Sequence, residues 1–266
     1  ISRPQDNPTI ASLYLNPFSS NIGAGTEIHL GDANTGNNED FGIYSTVTLP
    51  KLVIDNSSSN DPKATMWIIP LTIDEELEIQ SGAEFDASGL DLILLGDLTV
   101  DGTYTPNSNT TYFQGSSNQQ INGGPTFYNF TKDSNPNTLS LNSDDITVNN
   151  LFHLLTGTLD DNDNTIYVEG DITNNGTHLW GGSSEGIKLI GSSEQILRCS
   201  GVFGKLSIDN VNGVTVPNDN SYVITVIDEL KMENGLFNID KNLLVLQTNA
   251  DIIEANAFGE DNMIQT

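Results

Sequence analysis

The densest run of oxygen donors in the chain is Asp160-Asp161-Asn162-Asp163-Asn164. Asp160, Asn162 and Asn164 offer side-chain oxygens at alternate positions, the spacing on which calcium loops are built. The sixth position is Thr165, where such a loop needs glycine to turn sharply, and Ile166-Tyr167-Val168 then resumes a strand pattern. The run therefore reads as a solvated turn, and the Gly-Gly-x-Gly-x-Asp nonapeptide of calcium-binding β-rolls does not occur. Cleavage of a polysaccharide needs carboxylates facing each other across a groove, or carboxylates with calcium and a strong base such as Arg or Lys. Arg198, one of only two arginines, is the best single candidate for that base, with an ordinary surface charge pair as the plainer explanation. Asp144-Asp145 and Asp160-Asp161 are sequence neighbours, and successive strand residues point to opposite faces, so neither pair is expected to converge. His29, His153 and His178 share no ligand spacing, so no metal or other cofactor site is expected. Serine is too common for a Ser-His-Asp order to be argued, and no nucleophile elbow is expected. Cys199 lies just before Phe203 in a core-like strand and reads as buried filler. No catalytic residue is assigned on these grounds.

The elements that would position such groups are short strands. Ile166 and Val168, Leu206 and Ile208, Leu90, Leu92 and Leu94, and Val223, Thr225 and Ile227 alternate with period two. Asn122-Gly123, Asn175-Gly176, Asn212-Gly213, Asn234-Gly235 and Asp101-Gly102 punctuate them as turns. Asp74-Glu75-Glu76-Leu77 could open a helix, yet Leu77 and Ile79 resume the alternation, so the chain reads as all-β.

The landmarks also recur. Gly96-Asp97-Leu98 returns as Gly170-Asp171-Ile172, and Gly115-Ser116-Ser117-Asn118-Gln119 returns as Gly191-Ser192-Ser193-Glu194-Gln195. Phe127 and Phe203 are separated by the same interval as these serine-rich elements, and Lys51 to Asn56 matches Lys205 to Asn210. Gly82, Gly157 and Gly235 each follow an alternating apolar run. Three degenerate repeats of about 75 residues result, at about 25–100, 101–175 and 176–252, after a lead-in at 1–24 and before the start of a further coil or a truncated end at 253–266. Apolar triplets separated by polar stretches of irregular length suit a right-handed parallel β-helix with coils of about 20–25 residues, with tandem β-sandwiches as the alternative.

With 36 acidic and 9 basic residues the net charge is −27, so the phosphate neutralisation that drives nucleic-acid binding has almost nothing to work with. Docking on anionic lipid is disfavoured for the same reason. At 266 residues and 36% apolar content the chain can bury a sizeable core, and no stretch approaches the run of about 20 apolar residues that spans a bilayer. A single cysteine excludes an internal disulfide and is compatible with export. The chain opens at Ile1, with no basic segment leading into an apolar one, and is read as a mature or truncated piece.

Phe113 to Ile121, Phe127-Tyr128-Asn129-Phe130, Asp145 to Val148 and Leu154 to Leu159 together form a combination that resembles the degenerate β-helical repeats of large secreted, adhesin-like cell-surface proteins of Bacteroidota. The resemblance implies export by the type 9 secretion system and a structural or adhesive role without catalysis, as a rigid acidic stalk or binding surface. It implies as partners the rest of a longer chain, the secretion and anchoring machinery, and surface glycans, with no nucleic acid among them. The alternatives are a polysaccharide-active β-helix enzyme, a lyase or glycoside hydrolase, and a calcium-stabilised carbohydrate-binding module.

Overall fold

Aliphatic residues spaced two apart put their side chains on one face of a strand, and a parallel strand stacked in register continues that face as a ladder. In the computed structural model, which describes residues 12–16, 22–23, 25–57, 59–254 and 263–266, such ladders are the core. The described residues contain strands and no helix, and the strands pair in parallel as stacked coils of a β-solenoid, about 11 turns in all. The chain falls into two compact units, 1–128 and 129–266, so the break lies inside the second sequence repeat.

In the first unit, one wall stacks Leu13–Leu15, Asp40–Ser45, Lys63–Met66, Glu84–Asp86 and Thr103–Thr105. A second ladder runs through Glu27–Leu30, Leu49–Ile54 and Leu71–Ile79, then Asp97–Val100 and Gln119–Asn122. Leu71–Ile79 bends at the exposed Asp74 and Glu75, so its first residues pair instead with Leu92–Leu94 on a third wall. The inward stack Leu52, Leu77, Leu98 and Ile121 is almost wholly shielded from solvent.

The second unit repeats the plan. Ile146, Ile166, Ile187, Leu206 and Leu230 form one inward column, and Val148, Val168, Leu189, Ile208 and Met232 the next, all fully buried. Cutting one such residue to alanine removes about 2–5 kcal/mol. Coil length varies at the corners while the walls stay in register: the coil that carries Leu92 round to Thr111 is shorter than the one that carries Ile172 round to Leu197. One phase needs correction. Val223, Thr225 and Ile227 lie outward, and Ile224 and Val226 are the buried set. Apolar residues occupy both parities there, and the inward parity is the one shared with Leu230 and Met232.

Candidate functional site

A repeated corner sets the geometry around Arg198. The Gln195 side chain is buried; its Oε1 accepts the Gly191 N–H (2.8 Å) and its Nε2 donates to the carbonyls of Val168 (3.0 Å) and Gly170 (2.5 Å). Gly170 admits no side chain, because a Cβ there would overlap the Asn150 carbonyl oxygen. Asp171 Oδ1 accepts the Ile196 N–H at 2.9 Å, tying the same coils together. The first unit holds the same device, with Gln119 donating to Leu94 and Gly96 and accepting from Gly115, and Asp97 accepting the Gln120 N–H.

On this scaffold Arg198 and Asn122 occupy equivalent rungs, opposite Thr173 and Thr99. Asn122 donates to Thr99 Oγ1 at 3.2 Å. Arg198 reaches toward Asp171, with Nη1 3.9 Å from Oδ2, too long for a hydrogen bond. Arg198 and Asp171 line a polar hollow of about 610 Å³ with Glu169, Asn149, Leu151 and Ser193. The arginine singled out by its rarity thus shares a hollow with two carboxylates, and the loose pairing is the surface contact expected of it.

The oxygen-rich run is a solvated turn as read at its centre, and it departs from that reading at Asp161. Asn162 and Asp163 are both exposed, whereas Asp161 is fully buried. Asp161 Oδ1 accepts the N–H groups of Gly181 (2.7 Å) and Asp163 (3.1 Å), and its Oδ2 accepts Ser184 Oγ–H (3.1 Å) and contacts His178 Nε2 (3.2 Å). The Gly204 N–H donates to His178 Nδ1 at 3.3 Å, which leaves the ring proton on Nε2, directed at Asp161. Asp160 and Asp163 cap neighbouring backbone N–H groups. Among the described residues no three His, Cys, Asp or Glu side chains converge on a point suited to a metal ion.

Ser184 also corrects the expectation that no elbow occurs: Gly182-Ser183-Ser184-Glu185-Gly186 matches Gly-x-Ser-x-Gly. Serine, histidine and aspartate are therefore brought together, but in another order from a catalytic triad. There the hydroxyl gives its proton to the imidazole and the carboxylate orients the ring. Here the hydroxyl donates to the carboxylate, both ring nitrogens are engaged, and all three side chains are buried, so the arrangement works as a corner staple.

Several other charged groups among the described residues link coils. Lys51 lies 2.8 Å from both Glu76 and Glu78; hydrogen bonding to these carboxylates raises its pKa. Lys188 contacts Glu185, Asp209 and Glu233 at 2.7–3.2 Å, and these outweigh its burial to raise its pKa. Lys231 bridges Glu185 and Glu233. Burial would lower the pKa of His29, but Asp55 and Glu27, at 3.0 and 3.2 Å, turn the net shift upward. Desolvation, then the neighbouring Glu76, raises Asp97 even though the Gln120 N–H opposes it.

Two titratable groups, Cys199 and Lys132, are fully buried, and a third, His153, is half-buried on the outward parity of its strand between Phe152 and Leu154. Cys199 is fully buried, as expected of filler, and burial pushes its thiol up to about 11. His153 is lowered by partial burial. Lys132, which sequence reasoning passed over, is fully buried; its Nζ donates to the carbonyls of Ser134 (2.7 Å) and Asn137 (3.1 Å) and to Ser134 Oγ (2.5 Å), and desolvation lowers its pKa to about 8. No pattern in the neighbouring sequence marks it beforehand. Comparison with known proteins finds no match to the chain among family models, curated proteins or solved structures.

Proposed function

We propose that the chain is a non-enzymatic structural and adhesive segment of a large secreted cell-surface protein, a rigid acidic β-solenoid used as a stalk or binding surface. The observation that carries this reading is the use made of the polar side chains. Lys51, Lys63 and Lys188 contact carboxylates on the neighbouring coil, Lys231 reaches Glu185 two coils away, and Thr65, Thr99, Thr105 and Thr156 donate to carboxylates one coil away. Cross-links of this kind resist the shearing of one coil past the next, and the excess negative charge keeps copies apart in solution.

The likeness of its repeats to Bacteroidota adhesin-like proteins supports a segment of a longer chain exported by type 9 secretion. Its partners are then the rest of that chain, the secretion and anchoring machinery, and surface glycans. The test is antibody labelling of intact cells of the source organism before and after external protease. Labelling that protease removes is expected; labelling seen only after lysis overturns the reading. A second reading, a polysaccharide-active enzyme, is favoured by the shared hollow of Glu169, Asp171 and Arg198, and release of reducing ends or unsaturated products from a polysaccharide panel would establish it.

A further inference from the structure

We infer that the Arg198 hollow is a binding subsite for a neutral sugar ring, an inference that rests on the adhesive reading and names its ligand class. Three observations converge. The hollow, about 610 Å³, draws its lining from successive coils and mixes donors with acceptors: Arg198, Asn149 and Ser193 against the carboxylates of Glu169 and Asp171, beside the half-buried Leu151. Its base is fixed from beneath, since Gln195 holds the Gly170 carbonyl and the Ile196 N–H holds Asp171. Arg198 stands 3.9 Å from its nearest acidic partner, so its guanidinium donors are uncommitted, whereas Asn122 at the matching rung of the first unit is tied to Thr99.

Ligand class follows from charge and hydrogen-bond capacity. A phosphate, sulfate or uronate would bring its own negative charge against Glu169 and Asp171 in a chain of net charge −27. A cation meets Arg198. A neutral polyol ring presents hydroxyls that both donate and accept, satisfying the guanidinium and the carboxylates together, and its C–H face can lie on Leu151. A base held in place before binding lowers the ordering cost that otherwise weakens sugar recognition.

The test is saturation-transfer NMR and titration of the purified chain with cellohexaose, xylohexaose and mannohexaose, and with hexagalacturonate as the acidic comparison. At least one neutral probe binds, and Arg198→Asn, which installs the side chain of the first unit, weakens it by about tenfold or more, as expected for lost charge-assisted hydrogen bonds. Glu169→Gln is the second variant if R198N does not fold, and it weakens the same probe. Lys241→Asn, away from the hollow, leaves binding unchanged. No binding of any neutral probe, equal binding by the variants of the hollow, or tighter binding of hexagalacturonate overturns the inference. Cell-surface labelling is read independently of these titrations, so failure here and failure of the adhesive reading are separable.

Discussion

Gln119 and Gln195, at matching positions of successive repeats, make the same three hydrogen bonds: each side-chain oxygen accepts the N–H of the glycine that opens its own Gly-Ser-Ser element, and each amide nitrogen donates to two carbonyls of the preceding coil. A buried amide that satisfies three backbone groups at a corner cannot be replaced by an apolar side chain without leaving them unpaired.

Gln195→Ala is therefore expected to destabilise the second unit by about 2–4 kcal/mol. Gln195→Glu, whose carboxylate has no N–H to give the Val168 and Gly170 carbonyls, should cost more. Urea unfolding followed by Trp180 fluorescence reads both. A change no larger than that of an exposed control such as Lys241→Asn would show that the amide is not a structural tie.

Gly82 and Gly235 share a φ of +86°, so alanine is strained at both. They differ in what a methyl group would strike. At Gly235 it runs into the Asn210 carbonyl oxygen, fixed backbone; at Gly82 it meets the side chains of Asn56 and Asp61, which can swing away. Gly82→Ala should cost about 1 kcal/mol and Gly235→Ala several times that. Similar midpoints in thermal or urea melts of the two variants would contradict the distinction.

Lys132 gives a pH signature of known sign. Its folded-state pKa of about 8 lies below the ordinary 10.5, so the folded chain releases this proton first. The unfolded chain then holds more protons between those values, and the stability contributed by Lys132 rises with pH across that window. Lys51 and Lys188, shifted upward, act oppositely: their contribution is present below 10.5 and is lost as pH rises through their higher folded values. The difference in unfolding free energy between the parent and Lys132→Met should accordingly shift in favour of the parent from pH 8 to 10.5. A difference that stays flat over that range would mean the amine is not desolvated.

The Asp161 staple predicts indifference to chelators. Both carboxylate oxygens are occupied by donors, so EDTA should leave the melting temperature unchanged, whereas Asp161→Asn, which turns one acceptor into a donor facing other donors, should cost about 2–4 kcal/mol. Nitrogen NMR should find the His178 proton on Nε2. A melting temperature that falls on chelation would favour the calcium-stabilised module.

Why some of this was legible in the sequence and some was not follows from what each feature depends on. Period-two alternation reports side-chain direction directly, so Ile166 and Val168, or Leu206 and Ile208, point inward as read. At Val223–Ile227 both parities are apolar, alternation alone carries no phase, and only the parity of Leu230 and Met232 could have supplied it. Arg198 was visible because arginine is rare here, while its hollow depends on which corners stack. The pairing of Asp161 with His178 and Ser184 depends on coil register, which the irregular corner lengths hide; the glycines around Ser184 were the one local sign. Lys132 had no pattern to announce it, since a single buried amine is recognised only from the carbonyls that surround it.

Walls that hold register while the corners between them differ in length separate two kinds of sequence change. Substitution on an inward rung is felt by the rungs stacked above and below it, but extra residues at an exposed bend such as Asn218 to Ser221 need disturb no ladder. A short tag or a foreign peptide placed there should be displayed outward without loss of folding, which makes these bends natural sites for variation and practical ones for engineering.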